Sequence, residues 1–331
     1  MNGWINGKQK RLARIIQIVI SVGMLVILFR HINIDKISIL VRDARVNYLA
    51  IAFIVLVYQI MLAGYRWLSL IRLTGFFPPR WQCIGAFSAS SFLNTTLPGG
   101  ISGDIMRTWF TTRYRVPIKS ATYTVISDRI LNLTGHGLLA VIALTYNVLV
   151  IEKNLSTIYM VALIFGISLI VGFAILVFIN PLVTRFQIKL PFILAPIAEI
   201  SKIIGMIFQH PSQMSMVLGI NMLVQFMQII AITLIAYSIN VPLSFQTAVI
   251  GVSIILLLSA VPITPGGWGV RENVMIIIFG QFQIAPEAAL SISVLFGLGT
   301  ILASIPTAAW WFVRLGHKST TSLPMLNKEI P

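Results

Sequence analysis

Charge is scarce in this chain, and so are the residues that build most soluble active sites. Only 10% of its 331 residues are charged, against roughly 25% in an ordinary soluble domain. A single cysteine, Cys83, excludes an intrachain disulfide. Four scattered histidines, His31, His136, His210 and His317, give no metal-ligand spacing. No Ser-His-Asp arrangement, no phosphate-cradling glycine loop and no pair of acids in an aqueous domain can be traced, so no cofactor or metal is expected and catalysis has little to stand on. An acidic base at depth (Asp104, Asp128 or Glu272), serving a lipid-linked transferase, is the one enzyme reading left.

Hydrophobic residues make up 57% of the chain, and the mean hydropathy is +0.91. That balance, with several long runs nearly free of charge, describes a polytopic membrane protein. The formal net charge of +15 does not point to nucleic acid, because the lysines and arginines flank apolar runs, where they set topology and meet anionic headgroups. Runs near the 20 residues that span a bilayer occur at Leu12–Phe29, Tyr48–Leu70, Ser120–Val150, Thr157–Ile179, Met214–Ile239 and Ala288–Val313. The basic N-terminal residues Lys8, Lys10, Arg11 and Arg14 resemble a signal peptide, but no small-residue cleavage site follows, so a retained first helix is expected.

Two further stretches break apolar runs with Pro-Gly-Gly. The first is Leu97-Pro98-Gly99-Gly100-Ile101-Ser102-Gly103-Asp104, followed by Arg107; the second is Pro262-Ile263-Thr264-Pro265-Gly266-Gly267-Trp268-Gly269-Val270-Arg271-Glu272. Proline removes a backbone donor, and such a break in lipid is tolerated only where protein or a watery cavity covers it. Gln82–Leu97 with Ile101–Thr111, and Phe245–Val261 with Val270–Phe282, read as two re-entrant hairpins, with two full spans per pair as the competing topology.

The spacing indicates duplication. Pro98 and Pro265 lie 167 residues apart, Tyr48 and Met214 lie 166, and Ser120 and Ala288 lie 168. The segments 12–150 and 157–313 are therefore read as two repeats of one membrane domain, 1–331, ending in a short cytoplasmic tail, 314–331. Three spans and a hairpin per repeat give an odd number of crossings, so the repeats are inverted. Positive charge on the intervening loops places both termini in the cytoplasm. Interrupted helices at matching places in two halves mark the binding site of many carriers.

Six charged residues fall at depth: Asp104, Arg107, Asp128, Arg129, Arg271 and Glu272, three of each sign. One reading makes them a structural ion-pair network. The other makes them, with Gly99, Gly100, Gly266, Gly267 and Gly269, an anion site, since a half-helix start offers unpaired N–H groups and a positive dipole end. Asn221, Gln225 and Gln228 share one helical face, and Asn132 follows Asp128 by one turn. Bonds between helices are their default role.

Asn94-Thr95-Thr96-Leu97-Pro98-Gly99-Gly100 with Gly103-Asp104 and Arg107, then Ser127-Asp128-Arg129, then the second break through Glu272, resemble the lysylphosphatidylglycerol synthase transmembrane, flippase-like family. Asp104 and Asp128 stand where that family usually carries Glu. The resemblance implies a bacterial or archaeal membrane protein that moves or handles phospholipids or lipid-linked sugars. The full synthases add a soluble aminoacyl-transferase domain, to which the resemblance does not extend. The expectation is an all-α protein of the bacterial inner membrane, with six spans and two broken-helix hairpins, that translocates an anionic phospholipid or lipid-linked sugar. A carrier of a small polar solute, and a non-transporting accessory subunit working with envelope-biosynthesis proteins, are the alternatives.

Overall fold

The structure is a computed structural model that describes residues 39–97, 101–151, 157–185, 195–209, 211–259, 264 and 267–317. Among these, regular structure is helical throughout, with no strand. In chain order the helices are α1 (Val46–Leu73), α2 (Arg80–Thr96), α3 (Ser102–Thr112), α4 (Ile118–Tyr146), α5 (Thr157–Arg185), α6 (Ala195–Gln209), α7 (Pro211–Ser238), α8 (Phe245–Ser259), α9 (Val270–Gly280) and α10 (Pro286–His317). Prolines mark several starts: Pro79 and Pro117 directly precede α2 and α4, and Pro211 and Pro286 open α7 and α10. Their fixed φ and missing donor suit the first helical turn.

Five helices are long and apolar enough to cross a membrane, over Val46–Leu73, Ile118–Leu149, Thr157–Ile179, Pro211–Ser238 and Pro286–Val313. These match five of the expected spans to within a few residues. The sixth, Leu12–Phe29, lies outside the described residues, as does 318–331 of the expected tail. Both Pro-Gly-Gly stretches separate a pair of shorter helices, α2 from α3 and α8 from α9, that pack on each other. Between two of the expected spans, Thr157–Ile179 and Met214–Ile239, lies α6. Its Ile200, Ile203, Ile204 and Ile207 repeat at helical spacing and are buried. Pro191, Pro196 and the nearby lysine masked that stripe in the sequence.

Packing follows a reciprocal pattern. α1 and α7 lie lengthwise against each other at the centre; α10 packs on α2, and α4 packs on α8. Within each half, α3 packs on α4 and α9 on α10. An apolar core that includes Leu56, Ile232, Ile255 and Phe279 binds the two halves together, and a second, aromatic core joins Trp67, Phe110 and Trp311. The legs of the first hairpin cross tightly: a Cβ on Gly103 would lie 2.1 Å from the Ser90 carbonyl oxygen, a backbone contact that cannot yield.

Candidate functional site

Each hairpin places its charges through its second leg. In α3, Asp104 and Arg107 sit three residues apart, so both project from one face. Arg107 donates from Nη2 to Asp104 Oδ1 (2.7 Å) and from Nη1 to Asp128 Oδ2 (2.8 Å) on α4. The other oxygen of Asp128 accepts from Arg66 Nε on α1 at 2.9 Å. Arg66 also donates to Asn221 Oδ1 on α7 (2.5 Å) and to Asn132 Oδ1 (3.3 Å). Arg129 pairs with the second oxygen of Asp104. Arg66, Arg107 and Asp128 are all at most 3% exposed. Taking such charges out of water is expensive, and only this degree of mutual pairing and hydrogen bonding offsets it.

The second half is built differently. Gly269 adopts φ +88°, a region open to glycine, and precedes α9. Three residues on, Glu272 reaches back, and its Oε2 accepts the Gly269 N–H at 2.5 Å. Its Oε1 accepts from Arg271 Nη2 (3.0 Å) and from Ser293 Oγ (2.8 Å) of α10, while Arg271 Nε donates to Ser293 Oγ at 3.0 Å. Asn94 plays the matching part in the first hairpin, its Oδ1 accepting the Gly103 N–H at 2.8 Å. The two half-helix starts therefore each hold an internal acceptor. Both arginines also lie over aromatic rings: Arg107 over Phe87 (4.9 Å) and Trp67 (5.3 Å), Arg271 over Trp268 (5.0 Å) and Phe296 (5.6 Å). Trp268 Nε1–H donates to the Thr95 carbonyl at 3.2 Å, joining the second break to the end of α2.

These groups surround a cavity of about 490 Å³, within the range of about 300–1,000 Å³ typical of small-molecule sites. Asp104, Arg107, Asp128, Arg129, Gly267 and Arg271 line it. Glu272, fully buried, lies behind Arg271 as its counter-ion. Gly269 caps α9, and Gly99, Gly100 and Gly266 lie outside the described residues. Both halves supply wall: Ser91, Asn94 and Thr95 of α2 face Phe296 and Thr300 of α10, with Gln59, Asn132, His136 and Gln228 completing the polar lining. His136 lies between the Asn132 carbonyl (2.9 Å from Nδ1) and Gln228 Oε1 (3.2 Å from Nε2). Gln225 and Asn221 bond across to Asn132 and Leu131 of α4. Among the described residues no group of acids, histidines and cysteines is arranged to hold a metal.

Arg66 is the member that sequence reasoning missed. It stands near the end of the expected span Tyr48–Leu70, and it is 1% exposed and lines the cavity. With it, the described cluster holds four arginines against three carboxylates, one more positive group than negative. Arg107 also keeps its buried Nε without a hydrogen-bond partner. The signal in the sequence was its position, since Arg66 lies inside the expected span Tyr48–Leu70.

A family model described as the lysylphosphatidylglycerol synthase TM region matches residues 14–306 of this chain. No curated protein matches it. The chain belongs to that family, and is thereby a multi-pass integral membrane protein of a family tied to lipid metabolism or transport.

Proposed function

From that membership we propose that the protein carries an anionic lipid, a phospholipid or a lipid-linked sugar, across the bacterial inner membrane, its phosphate held among the cavity arginines. The observation that carries the reading is the excess positive charge in a cavity walled by both hairpins. A buried cluster with surplus arginine favours an incoming anion, and guanidinium groups fork onto phosphate oxygens. Arg129, with 35% of its side chain exposed, is the first such group an anion meets. Arg271 and Arg107 lie deeper. Asn94 and Glu272 already occupy a donor at each half-helix start, so arginine side chains rather than backbone N–H groups do the recognising.

In this reading the two hairpins are re-entrant and enter from opposite faces, the halves form an inverted repeat, and both termini are cytoplasmic. The reciprocal packing supports it, since α10 on α2 and α4 on α8 are the same contact under the 167-residue offset. Carriers of this kind rock one half against the other around a central site. Acyl chains remain in lipid throughout, and the chain's residues bind, orient and release the headgroup.

The test is mass spectrometry of lipids that copurify with wild type and with Arg129→Gln and Arg271→Gln. Wild type is expected to retain phosphate-bearing lipids over the bulk composition, with at least a several-fold loss in each variant and recovery in Arg129→Lys. The identity of the enriched lipid separates phospholipid from lipid-linked sugar. Equal lipid profiles in all four proteins would overturn the proposal.

A further inference from the structure

A second cavity, of about 520 Å³, opens between α2 and α10, two of the helices that wall the central one. It is lined by Trp81, Ile84 and Gly85 of α2 and by Thr307 and Trp310 of α10. Trp81 and Trp310 are 48% and 37% exposed, the usual posture of tryptophan at a membrane–water interface. The Arg80 guanidinium stacks on the Trp81 ring at 5.2 Å, which sets one exposed cation on the rim of an otherwise apolar groove. Apolar floor, aromatic edge and a single cation together suit the acyl chain and phosphate of an anionic glycerophospholipid.

The groove and the central cavity are in line. On α10, Thr300 of the cavity and Thr307 of the groove are seven residues apart, two turns or about 10 Å along one face. On α2, Ile84, Ser88, Ser91 and Thr95 likewise recur at helical spacing from one to the other. Where the helices meet between them, Thr307 Oγ1–H donates to Ser88 Oγ at 2.6 Å. Pro306 adjoins that contact within α10 and cannot donate to the Leu302 carbonyl, a local weakness in the helix at that level.

We propose that this groove is the docking site of an anionic glycerophospholipid, and that the lipid passes from it to the central cavity by parting the α2–α10 seam at Ser88 and Thr307. The inference rests on the carrier reading and narrows it: the substrate enters sideways from the bilayer, so it is a lipid and not a free solute.

Two measurements test it, both on the full chain in phosphatidylglycerol-containing vesicles. A phosphatidylglycerol with a diazirine in its acyl chain should label peptides containing 81–85 and 307–310, with at least a fivefold loss in Arg80→Ala/Trp81→Ala. Labelling that avoids these peptides, or is unchanged in the double variant, overturns the docking site. Second, Ser88→Cys/Thr307→Cys in a Cys83→Ala background should form a disulfide on oxidation. Passage of headgroup-labelled phosphatidylglycerol should then fall at least tenfold and return on reduction, while groove labelling persists. Equal passage by the oxidised and reduced forms overturns the portal and leaves the carrier reading standing. Absence of passage by wild type overturns the carrier reading and the portal with it, while the labelling result alone decides the docking site.

Discussion

Asp128 holds two buried arginines, one on each oxygen. Asp128→Asn would leave Arg66 and Arg107 facing each other at almost no exposure. Breaking a buried pair by removing one partner costs about 3–5 kcal/mol, so this variant should lose most of its thermal stability in detergent. Arg129→Gln removes a half-exposed partner of Asp104 instead, and such pairs contribute roughly 0–1 kcal/mol. Its melting temperature should stay within a few degrees of wild type, which makes its loss of lipid handling interpretable. Thermal unfolding followed by tryptophan fluorescence separates the two. If Asp128→Asn melted with wild type, the buried ion pairs would not stabilise the fold as described. At this scale the sequence revealed six of the seven charges in the cluster, all but Arg66, and not how they pair between helices. Asp128 and Arg129 are adjacent and so point apart; only the fold shows that Asp128 reaches Arg66 and Arg107 while Arg129 meets Asp104.

Helices were legible wherever apolar runs were long, and the two pairs of shorter helices where proline and glycine interrupted them. α6 was not, since two prolines and a lysine near its start outweighed four isoleucines at helical spacing. The hairpins also impose requirements that spacing does not display. Gly103 allows α3 to lie on the Ser90 backbone, so Gly103→Ala should push the legs apart and lower stability by about 1–3 kcal/mol, as overpacking does. Gly269→Ala forces a β-carbon into φ +88°, at a cost of order 1–3 kcal/mol. It should also loosen Glu272 from the α9 start, leaving Arg271 poorly held. Circular dichroism melts of the two variants check the first effect. A shift in Trp268 fluorescence, confined to Gly269→Ala, checks the second, since that ring lies against Arg271.

For the whole molecule, what matters is that two hairpins from different halves close on one cavity. The near-constant offset of 166–168 residues between the halves was readable in the chain and agrees with the exchange of packing partners, α10 on α2 and α4 on α8. The surplus positive charge was not readable, because it depends on Arg66 folding inward from the end of a span. The proposed function places a demand on the assembled protein that no single element makes: an anionic headgroup must cross, and must need the cavity to do so. The most direct measurement is the transbilayer movement of headgroup-labelled phosphatidylglycerol in proteoliposomes holding wild type, Arg129→Gln or no protein. The account predicts passage at least tenfold above protein-free vesicles for wild type, and a return close to the protein-free rate for Arg129→Gln. Wild-type vesicles no faster than empty ones, or a variant as fast as wild type, would contradict it.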